Sequence, residues 1–224
     1  MASSFNQIFR GAAGTSAEES IIENNYAITL YEGNGSTQSI TTGLDLTSSD
    51  GLVWIKNRDA TDSHILTDTV RGATKVLVTD TTAAEDTDAD TITSFTGTGF
   101  VLGADVKVNT SAESYASFSF REAPNFFDVV TYTGNGVAGR EIAHDLNTTV
   151  GMIIIKEVGG ANDWDVLHRS TEVLRLNSPD APLAGYAPTR FGDGSDLVRP
   201  TTSVFTVGAS GEVNGDGQTY VAYL

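Results

Sequence analysis

Apolar residues fall into short runs along this chain, and clusters of Gly, Asn, Asp and Ser separate one run from the next. The runs are rich in Val, Ile, Thr, Phe and Tyr, which is typical of β-strands bounded by turns. From residue 26 onward, no stretch shows the apolar period of an amphipathic helix. We predict strands at residues 26–31, 52–56, 64–67, 75–79, 100–108, 115–121, 127–132, 152–156, 165–168, 173–176, 203–207 and 219–224.

The apolar pattern within these strands predicts how the sheets are layered. Residues 52–55 and 152–155 are apolar at every position, so both faces of these strands should be buried at the centre of a sheet. Residues 115–120 alternate in character, as in a strand with one face on the core. Many short strands with Gly-rich turns predict an all-β chain of antiparallel, jelly-roll-like β-sandwiches.

The sequence of the first half returns in the second half. YEGNG at 31–35 returns as YTGNG at 132–136, GLVWIK at 51–56 as GMIIIK at 151–156, and FVLG at 100–103 as FTVG at 205–208. The matches keep one order and lie about 100 residues apart, which predicts two copies of one unit. We place the units at 26–122 and 123–224. The junction between them is short, so they should touch, and the two GNG motifs should form hairpin turns.

Residues 1–25 differ from the rest and are predicted to form an N-terminal arm. A capping-box pattern at 16–19 predicts a short helix through Ile22 that ends near residues 24–25. The arm would become ordered on a partner, and its apolar anchors would be Phe5, Ile8 and Phe9. A frayed terminus is the alternative.

Composition excludes several classes of partner and site. Lys and Arg number 13 against 29 Asp and Glu, and the formal net charge of −16 predicts no binding to nucleic acid or to anionic membranes. The chain has no cysteine, so disulfides and thiolate chemistry are excluded. No apolar run approaches the roughly 18 residues of a membrane span, and the first residues lack the apolar segment of a signal peptide. We therefore expect no membrane insertion.

One glycine pattern has the spacing of a dinucleotide-binding motif. Residues 134–139 read GNGVAG and follow a predicted strand. A dinucleotide site needs a helix directly afterwards, because the helix N-terminus binds the pyrophosphate. Residues 140–146 show no helical period, so we predict a turn there and no cofactor.

The histidines do not form a recognisable catalytic or metal-binding pattern. His64, His144 and His168 lack the local spacing of zinc ligands or of a catalytic dyad. Aligned by the repeat, they lie opposite Asp165, Thr42 and Thr67, respectively, so the two units share no chemistry at these positions. We predict no catalytic residue, no metal ligand and no enzymatic activity. The acidic loop at 80–90 lacks EF-hand spacing and should be solvated, with calcium binding left open as an alternative.

The densest cluster of polar and aromatic residues lies in the second unit. It consists of Asp163, Trp164, Asp165 and His168. These four residues are our candidates for contact with a ligand such as a host surface glycan. The alternative is that they are half-buried residues of a strand.

Several motifs resemble a tandem-repeat family found in virion proteins of tailed phages, especially marine phages. They are LVWIKNR at 52–58, DTVRG at 68–72, FVLG at 100–103, YTGNG at 132–136, MIIIK at 152–156 and VNGDGQTYVAY at 213–223. The resemblance extends over residues 26–224. Members are commonly described as tail fibre or structural proteins and have no agreed catalytic residues, so the resemblance implies a non-enzymatic virion component that is assembled in the host cytoplasm.

The resemblance also implies the partners of this chain. They would be other virion proteins and further copies of the chain itself, and a homotrimer is expected by analogy with phage appendages and cement proteins. The first expectation is a tail appendage, a fibre or knob, that anchors by its arm and presents the sandwiches outward. A capsid decoration protein and a carbohydrate-binding module for host attachment are the alternatives.

Overall fold

The computed structural model describes residues 19–169 and 171–224. In these residues short helices connect or precede a series of short strands. In chain order the elements are α1 (Glu19–Asn25), β1 (Tyr26–Glu32), β2 (Gln38–Thr41), β3 (Gly51–Asn57), β4 (Ile65–Asp68), β5 (Lys75–Val78), β6 (Asp86–Thr87), β7 (Ile92–Thr96), β8 (Gly99–Leu102), α2 (Val106–Asn109), β9 (Ser114–Arg121), β10 (Val129–Thr133), β11 (Arg140–Ala143), β12 (Met152–Glu157), β13 (Asp165–His168), β14 (Val173–Arg175), α3 (Ala187–Arg190), β15 (Val204–Val207), α4 (Gly211–Asn214) and β16 (Thr219–Tyr223).

The strands form antiparallel sheets, which confirms the all-β prediction. The first half has a large sheet of order β1-β9-β3-β4-β5-β6 and a small sheet of order β2-β8-β7. The second half has a large sheet of order β10-β16-β12-β13-β14 and a small sheet of order β11-β15. The strand order of the large sheets therefore corresponds through five positions, and the predicted boundary at 122/123 falls between β9 and β10. The common origin of the two halves stays a prediction.

Each half is a sandwich with its own hydrophobic core. In the first half, Val53 and Ile55 of the large sheet pack with Phe100 of the small sheet. In the second half, Ile153 and Phe205 belong to the equivalent cluster. Large and small sheets thus cover each other within each half, as facing sheets of a sandwich do.

A third hydrophobic cluster lies between the two large sheets. It contains Leu52, Leu66 and Leu77 from the first half and Val221 and Tyr223 from the second. The large sheets therefore pack face to face between the two small sheets, and the halves form one body. This arrangement confirms that the two halves touch.

The third cluster explains why two strands are apolar at every position. In β3, Val53 and Ile55 point to the core of the first half, whereas Leu52 and Trp54 point to the interface between the halves. In β12, Ile154 points to the same interface. Both strands lie third in their sheets. β3 is covered on both faces as predicted, whereas Met152 at the start of β12 is 43% exposed. Burial of apolar area stabilises by about 25 cal/mol per Å², so this two-sided packing is a main source of stability.

The motifs that recur in the sequence build one loop arrangement in the first half. Asn109 at the end of α2 is fully buried. Its side-chain amide donates to the carbonyls of Ser36 (2.5 Å) and Gly103 (2.7 Å), and its Oδ1 accepts from the backbone N–H of Asn34 (2.9 Å). Tyr31 donates to the carbonyl of Val108 (2.8 Å). The YxGNG motif is thus tied to the VN motif of the first half.

The second half repeats these contacts. Asn214 is fully buried, donates to the carbonyls of Val137 (2.9 Å) and Gly208 (2.8 Å), and accepts from the backbone N–H of Asn135 (3.0 Å). Tyr132 donates to the carbonyl of Val213 (2.6 Å). The residues that recur between the halves therefore hold loops in place.

The GNG motifs are not hairpin turns, which corrects the prediction. β1 pairs with β9 and β2 pairs with β8, so the loop at 33–37 crosses from the large sheet to the small sheet. The loop after β10 does the same, because β10 pairs with β16 and β11 with β15. Gly35 and Gly136 both have a φ of +68°, which glycine adopts easily. This positive φ turns the chain where it crosses from the large sheet to the small sheet.

Some predicted boundaries also differ. The strand predicted at 100–108 ends at Leu102, because Asp105 caps α2 by accepting from the backbone N–H of Lys107 (2.7 Å). The short strands β2, β6, β7 and β11 were not predicted, since they carry few apolar residues. The helix predicted in the leader is present as α1, while the start of its capping box at 16–18 lies outside the described residues.

Candidate functional site

The interface between the two large sheets holds a buried group of charged and polar side chains. Arg71 Nε lies 2.6 Å from Asp68 Oδ2, and Arg71 Nη1 lies 3.0 Å from Glu85 Oε2. Tyr223 reaches across from the second half, donates to Asp68 Oδ2 (2.7 Å) and accepts from Arg71 Nη2 (3.3 Å). Lys75 lies 3.5 Å from the other Glu85 oxygen, so two cations balance two anions. We call these five residues the interface ion cluster.

Burial makes the interface ion cluster sensitive to the loss of any partner. The side chain of Asp68 is 0% exposed and that of Arg71 is 5% exposed. Burial also holds the pKa of Tyr223 well above its usual value, so its hydroxyl remains a donor to Asp68. A buried charge without a partner costs several kcal/mol. Since Tyr223 of the second half bonds Asp68 and Arg71 of the first, separating the halves would remove a partner from this cluster.

Two further hydrogen bonds join the halves beside this cluster. The indole N–H of Trp164 donates to the carbonyl of Val78 (3.1 Å). The backbone N–H of Glu85 donates to the carbonyl of Val158 (2.8 Å). The polar contacts therefore connect β5 and the loop after it to the second half.

A second buried ion cluster lies within the second half. Arg190 Nε is 2.9 Å from Asp165 Oδ2, although the N–H does not point at that oxygen well enough for a hydrogen bond, and Arg190 also pairs with Glu212. Burial raises the pKa of Asp165 to about 7, and Arg190 opposes only part of this shift. Burial would also raise the pKa of Glu212, but hydrogen bonds from Arg190 and Ser210 outweigh it and lower the pKa to about 2.

Asp165 should make the stability of the protein depend on pH. Its folded-state pKa lies above the ordinary value of 3.8, so its contribution is most favourable at low pH and is lost as pH rises through about 7. We expect the free energy of unfolding of the wild type, relative to Asp165→Asn, to fall by about 2 kcal/mol between pH 5 and pH 8. Urea unfolding at several pH values measures this difference. If the difference in unfolding free energy between the two proteins did not change with pH, the raised pKa of Asp165 would be contradicted.

A cavity of about 530 Å³ opens at one end of the interface between the halves. Its walls include Trp54, Phe120 and Phe126, and its rim includes His168 and Arg169. A smaller cavity of about 330 Å³ adjoins it and shares residues 149, 151, 152 and 169 with it. We call the larger one the interface cavity.

The structure does not gather the four candidate ligand-contact residues at the surface. Trp164 and Asp165 are fully buried, Trp164 against the first half and Asp165 beside Arg190. Neither side chain is accessible to a ligand at the surface in this structure, and their role in ligand contact stays a prediction. Asp163 is half-buried and pairs with Arg175 (2.8 Å). Only His168 is exposed, and it lies at the other end of β13, on the rim of the interface cavity.

Strand pairing also shifts the repeat alignment of His168 by one residue. Leu52 pairs with Asp68 and Met152 pairs with His168, so His168 is equivalent to Asp68. By the same register Asp165 takes the place of Ile65 in the first half.

The acidic loop at 80–90 is partly used in ion pairs. Glu85 belongs to the interface ion cluster, and Asp88 lies 3.6 Å from Lys107. Within the described residues, no group of three or more His, Asp or Glu side chains is arranged to hold a metal ion. The anchors Phe5, Ile8 and Phe9 lie outside the described residues.

The glycines at 134–139 lead into a strand. β11 begins at Arg140, directly after the motif, where a dinucleotide site would need a helix. Gly134 instead lies against the backbone of Gly215, and an added Cβ would be 2.1 Å from its carbonyl oxygen. The close approach explains why glycine is needed at this position.

The residues that join the halves were not predicted from the sequence. Arg71 and Tyr223 were included only within family motifs, although an Asp68–Arg71 spacing of three residues is a recognisable ion-pair signal. A second signal was the double-sided apolar pattern at 52–55 and 152–155, because each strand needed a covering layer beyond its own sandwich.

Comparison with known proteins gives a family and no relatives. Among the described residues, no helix is long and apolar enough to cross a membrane. No curated protein and no solved structure matches the chain. The model of a family described as "Domain of unknown function (DUF7483)" matches residues 23–224. Since the match extends over most of the sequence, the chain belongs to the DUF7483 family.

Proposed function

We propose that this chain is a structural protein of a phage virion surface, and that it acts as a rigid block in a tail appendage. The proposal rests on the resemblance of residues 26–224 to virion proteins. It is supported by one observation above all: the residues that recur in both halves, such as Asn109 and Asn214, hold loops in place. Repeated side chains with a purely architectural role suit a protein that presents a shape.

The build of the interface supports the same proposal. Buried charges such as Asp68 and Arg71 pair with each other and with Tyr223 across the two halves. A block held by two sandwich cores and a third core between them resists bending. A spacer or knob outside a particle needs this resistance.

The arm would attach the block to the particle through Phe5, Ile8 and Phe9. We expect the full-length chain with these three residues changed to Ser to fold normally and to be absent from virions. The matched control changes Ala12 and Ala13 to Ser in the same arm and should assemble fully. Quantitative mass spectrometry of purified particles measures incorporation. Full incorporation of the triple variant would contradict anchoring by the arm.

The same particles separate a tail role from a head role. A tail appendage is present in a copy number that follows the symmetry of the tail, whereas a capsid decoration protein follows the much larger number of capsid lattice sites. Multi-angle light scattering on the purified 23.6 kDa chain tests the proposed homotrimer. Absence of the chain from purified virions would reject the proposed function.

A further inference from the structure

The interface cavity has the size and walls of a small-molecule site. Its volume of about 530 Å³ lies in the range of cavities that bind ligands. The rings of Phe120 and Phe126 lie 6.4 Å apart, and Trp54 and Met152 complete an apolar lining. The cavity lies where the two large sheets meet, and boundaries between packed units are common places for ligand sites.

The charge at the rim of the interface cavity is opposite to that of the protein as a whole. The chain carries a net charge of −16, with 29 Asp and Glu residues. Even so, Arg169 lines both adjoining cavities and Arg199 lines the smaller one, and neither lining contains an Asp or Glu side chain among the described residues. The rim is therefore a local cationic region that an anionic group would favour.

The equivalent corner of the first half has no cation at the position of Arg169. The pairing register makes Arg169 equivalent to Thr69 and Val150 equivalent to Asp50. The Thr69 hydroxyl donates to Asp50 Oδ1 (2.9 Å). The pocket in that corner is also lined by Glu122. Arg169 therefore does not belong to the contacts that the two halves repeat.

The two halves also differ in the space at one glycine. A Cβ added to Gly51 would lie 2.6 Å from the carbonyl oxygen of Phe120, so no side chain fits at this position of the first half. A Cβ added to Gly151 would meet nothing within 4 Å, and Gly151 lines both cavities. The backbone at Gly151 is therefore uncovered where that of Gly51 is packed.

From these observations we infer that the interface cavity binds a small organic anion with a flat apolar body. The aromatic walls would contact the body of the ligand, and the guanidinium of Arg169 would pair with its carboxylate or sulfonate. This inference does not depend on the proposed virion role.

Fluorescence titration with 8-anilinonaphthalene-1-sulfonate, an aromatic anion, tests the inference on the full chain. We expect saturable binding at one site. Met152 lines the cavity, is 43% exposed and shares a strand face with Ile154. Met152→Trp would fill part of the cavity, and we expect affinity to fall at least about tenfold while the circular dichroism and unfolding midpoint stay unchanged. Met152→Leu, which leaves most of the space, is its matched control.

A charge variant gives a second readout. Arg169→Glu should weaken binding about threefold or more, because it replaces an attraction with a repulsion. Arg58→Glu makes the same charge change at an exposed site that lines neither cavity and should leave affinity unchanged.

Three results would overturn the inference. The first is no saturable binding by the wild type. The second is equal affinity of wild type and folded Met152→Trp, which would place the dye elsewhere, for instance on exposed Ile28 and Leu30. The third is an equal effect of the two Arg variants. If Met152→Trp does not fold, the comparison of Arg169→Glu with Arg58→Glu alone tests the inference.

Discussion

Replacing Arg71 by Met is expected to lower the free energy of unfolding by about 3–5 kcal/mol. The side chain of Asp68 is 0% exposed, and Arg71 is the cation that lies against it. Lys75 cannot take over, because it lies beside Glu85 and its side chain is 38% exposed. The variant would therefore leave a buried carboxylate with no cation beside it, held only by the hydroxyl of Tyr223 and the backbone N–H of residue 71 (2.8 Å).

Two controls make the effect of Arg71→Met specific. Arg58→Met removes a cation from an exposed site and should change stability by less than about 0.5 kcal/mol. Adding Asp68→Asn to Arg71→Met should recover part of the loss, since it removes the unpaired charge. Urea unfolding of the four proteins measures these differences. A loss for Arg71→Met as small as that for Arg58→Met would contradict the role of the interface ion cluster.

Replacing Gly134 by Ala is expected to cost about 3 kcal/mol or more. The new Cβ would lie 2.1 Å from the carbonyl oxygen of Gly215, and the next atoms it meets are also backbone. Backbone cannot move aside as the end of a side chain can, so the loop that Asn214 holds would have to shift. Gly33→Ala should have the same effect in the first half, where the Cβ would lie 2.2 Å from the carbonyl oxygen of Thr110.

The matched control for Gly134→Ala is Gly151→Ala in the same half. Gly151 has open space at its Cβ, so the variant should be neutral or more stable by up to about 1 kcal/mol, because Ala restricts the unfolded chain. Thermal unfolding followed by circular dichroism compares the two. Equal midpoints for the two variants would show that the close approach at Gly134 is not needed.

The layering of the fold could be predicted from local patterns, but only up to a point. Apolar residues on both faces of 52–55 indicated a central strand, and β3 is central in its sheet. The same pattern did not say that the outer face of Leu52 packs on the other half, since a covering layer can come from any element. The GNG motifs were assigned to hairpins because Asn and Gly favour tight turns. In the structure β1 and β2 do not pair with each other, because their partners β9 and β8 lie far away in sequence.

The candidate site was harder to predict because its residues depend on distant partners. Trp164 sits among polar neighbours and was a candidate for ligand contact, with a half-buried strand residue as the alternative. Its indole N–H donates to the carbonyl of Val78, 86 positions away. Asp165 occupies a core position beside Arg190, which opposes part of the cost of its burial, and nothing near Asp165 in sequence indicates that pairing. The interface cavity exists only where two separate sheets meet, so no single segment of the sequence encodes it.

The central claim is that the third hydrophobic cluster and the interface ion cluster join the two halves into one body. Differential scanning calorimetry of the wild-type chain tests this claim most directly. We predict a single unfolding transition whose calorimetric enthalpy equals its van't Hoff enthalpy, as expected when all parts unfold together. Two separate transitions, with the enthalpy divided between them, would mean that each half unfolds by itself and would contradict the claim.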